Sequence, residues 1–148
     1  MITALQFIVF TTYLIVIWKR FEILESISSS TYEWIGNQRY WFTAMCWGLG
    51  ALNLFQGMGD WGVLVAVAMG VTGITINYKT IGTALHNIGA ITAIGGGLIG
   101  LWALHGIWQP LGLFLPIAVC LWFISGENQI WWIEIVAFAL IIIGYTLR

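Results

Sequence analysis

Long apolar runs, separated by short polar, glycine or proline breaks, occupy most of this 148-residue chain. A helix needs about 20 apolar residues, within a range of about 17–25, to cross the hydrocarbon core of a membrane. Lipid offers the backbone no hydrogen bonds, so such runs must be helical. We therefore predict an all-α, multi-pass membrane helix bundle with six spans. They cover approximately residues 2–18, 41–57, 61–77, 81–105, 107–125 and 130–147.

The fifth run has a short apolar core, LGLFLPIAVCLWF, which contains Pro116. Proline removes a backbone donor and kinks or breaks a helix interior. Five crossings, with a kinked or re-entrant fifth segment, therefore stay open beside the preferred six.

Charged residues are too scarce to cover a surface that faces water. They make up 7% of the chain, against about 25% in ordinary soluble domains. We therefore treat residues 1–148 as a single transmembrane domain whose main partner is the lipid bilayer. A homo-oligomer or a larger membrane complex is a further expectation. The net charge of −1 provides no basic surface, which argues against nucleic-acid binding.

Lysine and arginine set the predicted orientation. Six crossings place Lys19, Arg20, Arg39 and Lys79 on one side and leave Arg148 on the other. Because short cytoplasmic loops carry the excess of these residues, we predict a cytoplasmic 19–40 loop and an outside N-terminus, in a plasma or bacterial inner membrane. The first run has no basic segment before it, so we interpret it as a retained span and not a signal peptide.

Eighteen glycines need a reason, because glycine weakens a helix by about 1 kcal/mol relative to alanine. The fourth run repeats small residues four apart, with Gly89, Ala93 and Gly97 in one series and Gly96 and Gly100 in another. Such spacing lets membrane helices pack closely, which favours a central place for this helix. The alternative is that its GGG triplet unwinds and exposes carbonyl groups.

The chain also has ten tryptophans. Indole rings favour the headgroup region of a membrane. Seven of them fall near predicted span ends: Trp18, Trp34, Trp41, Trp61, Trp108, Trp131 and Trp132.

Ionisable residues within a span are functional candidates because burying them in lipid is costly. Cys46, His86, Cys120 and Glu134 come from four predicted spans at similar depth. Two thiolates and an imidazole would suit zinc, with Glu134 as a ligand or base. Alternatively the cysteines are ordinary apolar residues, and His86 pairs with Glu134 to bind substrate, relay protons or join two helices. His105 follows His86 by 19 residues, roughly 28 Å of helix, so the two cannot share a metal.

At the opposite end of the bundle, polar residues near helix ends form a second candidate cluster. These residues are Asp60, His105 and Gln109. Ordinary residues at a wet helix end are the favoured interpretation.

The stretch ESISSSTYEW, residues 25–34, is the least hydrophobic part of the chain. A serine such as Ser28 beside His86, with Glu25, Glu33 or Glu134 orienting the imidazole, would form a hydrolase-like arrangement. The Gly-x-Ser-x-Gly pattern that marks a nucleophilic serine is missing from the sequence.

A capping role for the same stretch is favoured over catalysis. Serine and threonine commonly cap helices. Ser30, Thr31 and Glu33 would suit the start of a short interfacial helix.

The order of ESISSSTY after the first span and HNIGA opening a later one resembles small uncharacterised multi-pass membrane proteins of bacteria. It also distantly resembles the CREST group of membrane hydrolases and receptors (alkaline ceramidases, progestin and adiponectin receptors). That resemblance implies a zinc site for amide hydrolysis, built from a serine, an aspartate and three histidines. Two members of that set have counterparts in this sequence, namely one serine in the range Ser26–Ser30 and one histidine, His86. The other histidines have no counterpart.

Three functions follow as hypotheses. The first is a binding, transport or assembly subunit without a complete catalytic motif and without a cofactor. The second is a membrane-embedded lipid or amide hydrolase with a cytoplasmic-side serine, histidine and carboxylate, with or without zinc. The third is a small proton-linked transporter that uses His86 and Glu134.

Overall fold

The computed structural model describes residues 1–33, 36–75 and 82–147, and the regular structure in these ranges is entirely helical. This confirms the all-α prediction. The helices are α1 (Ile2–Phe21), α2 (Ser30–Glu33), α3 (Trp41–Leu54), α4 (Gly59–Thr75), α5 (Gly82–His105), α6 (Gln109–Ile124) and α7 (Gln129–Leu147), with 3-10 turns at Gly36–Tyr40 and Gly126–Asn128.

The six longer helices coincide with the six predicted apolar runs. Their ends differ from the predictions by a few residues, since polar and glycine residues at the borders determine where each helix starts and stops. Trp34, Lys79 and Arg148, which entered the predictions above, lie outside the described residues, as do the ends of two predicted runs at 76–77 and at 81.

Three helical segments are long and apolar enough to cross a membrane: Ile2–Phe21, Thr83–His105 and Gly126–Leu147. α4 and α6 are apolar but shorter. Large apolar side chains also cover the outside of the bundle; Ile91 is 72% exposed and Phe123 is 82% exposed. A water-soluble protein rarely exposes apolar surface on this scale, so the helices and the surface together indicate membrane association.

α5 packs against α4, α6 and α7, as its glycine spacing predicted. A Cβ at Gly89 would lie 3.0 Å from the Ala68 carbonyl oxygen, and a Cβ at Gly97 would lie 2.8 Å from Ile141 Cδ1. The helix continues without interruption through the GGG triplet, so the alternative of an unwound segment is wrong. Small residues here allow close packing, which in lipid replaces the hydrophobic driving force between helices.

α6 lies at the edge of the bundle. It packs on α7 and more lightly on α5, and Pro110 is its one fully buried residue. Pro116 lies inside the helix without ending it. The run predicted as the weakest span is therefore one continuous helix.

Five of the tryptophans near helix ends divide into two groups. Trp18, Trp41 and Trp108 are more than half exposed, as expected for rings in the headgroup region. Trp131 is instead buried, and Trp61 turns inward to donate its indole N–H to the Gly96 carbonyl oxygen. These two rings serve helix packing.

Candidate functional site

The serine-rich segment after α1 folds back onto the start of α7 and forms two hydrogen bonds with it. The Trp131 backbone N–H donates to the Glu25 carbonyl oxygen at 3.0 Å. The Ile27 backbone N–H donates to Glu134 Oε2 at 2.7 Å. Trp131 and Glu134 are neighbours on one face of α7 because residues three apart in a helix lie one above the other. The segment 22–33, here called the serine loop, is therefore attached to α7 at two adjacent points.

Hydroxyl groups within the serine loop bond mainly to the loop itself. The Ser29 backbone N–H donates to Ser26 Oγ at 3.1 Å, and the Ser26 backbone N–H donates to Ser29 Oγ at 3.2 Å. This reciprocal pairing is that of a capping box. The short helix predicted at Ser30 is present as α2, but the capping hydroxyls come from Ser26 and Ser29. Ser30 Oγ instead donates to the Ile27 carbonyl oxygen and lies 2.7 Å from the Tyr13 hydroxyl oxygen.

A cavity of about 20 Å³ lies directly beneath the serine loop, and Cys46, His86 and Glu134 all line it. We call it the Glu134 cavity. Ile27 closes it on the loop side with a side chain that is 1% exposed. The remaining lining residues are apolar or small, apart from Thr72. Three of the four residues predicted at one depth therefore do converge, from α3, α5 and α7.

His86 is oriented by the backbone of α4. Its Nδ1 lies 2.8 Å from the Thr72 carbonyl oxygen. A carbonyl oxygen only accepts, so Nδ1 carries the proton and Nε2 is the accepting nitrogen of the neutral ring. The Phe42 ring lies 5.9 Å from the imidazole, centroid to centroid. His86 as a whole is 5% exposed.

Cys120 does not join this group. It lies on the exposed side of α6, because the rotation of that helix about its axis turns the thiol away from the bundle. Among residues 1–33, 36–75 and 82–147, no three histidine, cysteine, aspartate or glutamate side chains are placed to hold a metal ion. The predicted four-ligand set of Cys46, His86, Cys120 and Glu134 is therefore not assembled.

The hydrolase-like arrangement is not assembled either. Ser28 is buried, but its hydroxyl pairs with that of Ser26 at 3.0 Å. Glu25 is exposed, and its backbone carbonyl group, not its carboxylate, contacts α7. Within the part of the chain that the structure describes, the hydrogen bonds of the four serines stay within the loop or reach Tyr13, and His86 bonds to Thr72.

A second cavity, of about 30 Å³, lies further along the bundle and is lined by Gln6 and Asn53 among apolar residues. We call it the Asn53 cavity. Gln56 Nε2 donates to Gln6 Oε1 at 2.6 Å, and the Tyr145 hydroxyl donates to Asn53 Oδ1 at 2.6 Å. All four side chains are buried.

This amide cluster was not predicted from the sequence. The residues expected to form a polar group at this end were Asp60, His105 and Gln109, and of these Asp60 and Gln109 are exposed. Gln6 and Asn53 are not ionisable, so the criterion of an ionisable residue within a span does not select them. The available signal was an amide inside each of two apolar runs, since membrane helices use asparagine and glutamine for bonds between helices.

Comparison with known proteins returned no match from protein-family models, from curated proteins or from solved structures.

Proposed function

We propose that this chain is a small multi-pass membrane protein that carries out proton-linked transport through Glu134 and His86. In this proposal all six long helices cross the membrane, the serine loop faces the cytoplasm and both termini face outside. The exposed Lys19 and Arg20 at the end of α1 support that orientation through the positive-inside rule.

Three of the proposed crossings are short. α3, α4 and α6 contain 14, 17 and 16 residues, or roughly 21–26 Å of helix, against a hydrocarbon thickness of about 30 Å. A bilayer thins around short helices at modest cost. In this proposal the residues that join the helices span the remaining distance across the hydrocarbon core.

The hydrogen bond from the Ile27 N–H to Glu134 Oε2 is the observation that carries the proposal. It connects the one carboxylate of the Glu134 cavity to the loop that closes the cavity. An ionised carboxylate accepts a hydrogen bond roughly twice as strongly as a neutral group. Proton uptake by Glu134 therefore weakens its hold on the serine loop. Proton release restores the hold, so loop position and proton occupancy depend on each other.

His86 and Cys46 are the other titratable groups that line the cavity. Because Nδ1 of His86 is committed to the Thr72 carbonyl oxygen, Nε2 is the atom that can receive a proton from Glu134 or from a water molecule. His86 lies on α5 and Glu134 on α7, and side chains held on helices suit a proton relay. Cys46 is 1% exposed and sits among apolar side chains, so it shapes the cavity as a small apolar group.

The size of the cavity favours a proton over a larger substrate. A space of about 20 Å³ is sufficient for about one water molecule. A lipid or an acylated amide would not enter it. Protons need only a water molecule and two exchanging groups.

The test is proton flux into liposomes that contain the purified protein, followed with an internal pH dye under an imposed pH gradient. We expect the wild type to conduct and Glu134→Gln to lose flux by about tenfold or more, because glutamine keeps an accepting oxygen but cannot exchange a proton. Glu127→Gln is the matched control, since Glu127 is exposed in the turn before α7. Wild-type flux no greater than that of empty liposomes, or full flux in Glu134→Gln, would overturn the proposal.

A further inference from the structure

The Asn53 cavity contains a buried donor that lacks a partner. Asn53 is 4% exposed, its Oδ1 accepts from the Tyr145 hydroxyl, and its Nδ2 has no hydrogen-bond partner among the residues that the structure describes. Buried amide donors in proteins are almost always paired, either with protein or with ordered water. The cavity that Asn53 lines measures about 30 Å³, whereas a water molecule needs about 10–15 Å³.

Gln6 supplies a second polar group to the same cavity. A buried water molecule needs two to four polar partners. The Asn53 Nδ2 donor and the Gln6 amide provide such partners from α1 and α3. The other lining residues are apolar, which leaves this pair as the polar end of the cavity.

The two cavities share three lining residues, namely Met69, Ala93 and Phe138. Asn53 follows Cys46 by seven residues on α3, so the two polar levels lie roughly 10 Å apart along the helix. Phe138 stands one turn beyond Glu134 on α7 and packs against Phe10, with ring centroids 4.8 Å apart. Met69 is the flexible member, because its side chain adopts several rotamers at low cost.

We propose that the Asn53 cavity is a water-binding site and forms the second half of a proton path whose first half is the Glu134 cavity. Met69 and Phe138 close the apolar layer between the two halves. The path part of this inference rests on the proposed function, whereas water binding at Asn53 does not. A proton enters from one side through the amide cluster and from the other through the serine loop. A change of rotamer at the apolar layer brings the two water-sized spaces into contact.

Water binding is tested first on the unaltered protein in nanodiscs. Proton-detected NMR measures magnetisation transfer from water to the side-chain amide protons of Asn53. We expect a water cross-peak at Asn53, as at the control Asn128, which lies in the turn before α7. A cross-peak at Asn128 but not at Asn53 would show that the cavity is dry and would overturn the inference.

The path is tested by proton flux in liposomes. Phe138→Ala removes the ring between the cavities, and we expect flux to rise about tenfold. Asn53→Leu, which is similar in size but cannot donate, is expected to lower flux about tenfold. Phe123→Ala is the matched control, because Phe123 is 82% exposed, and it should leave flux unchanged.

The outcomes separate the two proposals. If NMR detects water at Asn53 but the wild-type protein conducts no protons, the proposed function is overturned and the water-binding site is retained. Wild-type flux that depends on Glu134 but is unchanged in both Phe138→Ala and Asn53→Leu would keep the function and overturn the path. NMR spectra of each variant, compared with wild type, show whether the fold is retained.

Discussion

Glu134→Ala tests how the serine loop is held. The substitution removes the oxygen that accepts from the Ile27 N–H at 2.7 Å. If the loop stays closed, this buried donor loses its partner, which costs about 1–3 kcal/mol. If the loop opens instead, the Ile27 side chain, which is 1% exposed in the closed loop, loses the stabilisation of about 1.5–3 kcal/mol that its burial provides. The first cost raises the free energy of the closed loop in the variant, and it therefore lowers the free energy of opening.

A decrease of about 1–3 kcal/mol in that free energy corresponds to an opening equilibrium raised about 5-fold to 150-fold. Two other attachments remain, namely the bond from the Trp131 N–H to the Glu25 carbonyl oxygen and the contact between the Ser30 and Tyr13 hydroxyls. We therefore expect local opening of the loop and not unfolding of the bundle.

Amide hydrogen exchange in nanodiscs measures this opening directly. In Glu134→Ala, exchange at residues 26–31 should accelerate by the factor above while the α5 amides remain protected. Glu134→Gln should exchange faster than wild type but more slowly than Glu134→Ala, because its neutral oxygen still accepts from Ile27 but more weakly than an ionised carboxylate. Glu127→Ala serves as a second control, since that carboxylate is exposed. Exchange at Ile27 that is indistinguishable between wild type and Glu134→Ala would refute the view that Glu134 holds the loop.

Three further predictions concern stability and reactivity. Gly89→Ala should lower the free energy of unfolding by about 1–3 kcal/mol, because its Cβ would lie 2.6 Å from a threonine hydroxyl of α4. Gly95→Ala, with no atom near its Cβ, should leave stability unchanged or raise it by up to about 1 kcal/mol. Equal losses of stability in the Gly89→Ala and Gly95→Ala variants, measured by thermal melts, would contradict the packing argument. Tyr145→Phe should cost about 0.6–1.7 kcal/mol in the same melts, since a buried asparagine oxygen loses its donor, and an unchanged melting temperature would contradict this. N-ethylmaleimide should modify the exposed Cys120 faster than the buried Cys46; mass spectrometry showing the reverse order would contradict the orientation of α6.

The helices were predictable because the information for them is local. Apolar runs, the breaks between them and the scarcity of charge favour apolar helices of the kind that associate with membranes. Small residues four apart in the fourth run likewise predicted that α5 would pack closely with several neighbours. Neither inference required knowing which helix lies beside which.

The sequence predicted the depth of the candidate site residues along their helices, but not the direction in which their side chains point. Counting residues from helix ends placed Cys46, His86, Cys120 and Glu134 at one level, because each helical residue adds a known rise of about 1.5 Å. Rotation of each helix about its axis is decided by packing, and it turns Cys120 to the outside while the other three line one cavity. The partner of Glu134, a backbone N–H distant in sequence, could not be predicted from any pattern near either residue.

The sequence by itself determined that this chain forms membrane-type helices, that the 25–34 stretch is its polar segment, and that few ionisable residues lie within the apolar runs. Only the tertiary structure decided that the serine loop closes the Glu134 cavity and that amides from α1 and α3 line a second cavity next to it. The physical reason is the range of the interactions. Helix formation and lipid solubility depend on residues a few positions apart, whereas a cavity depends on the rotation and contact of helices that are distant in sequence.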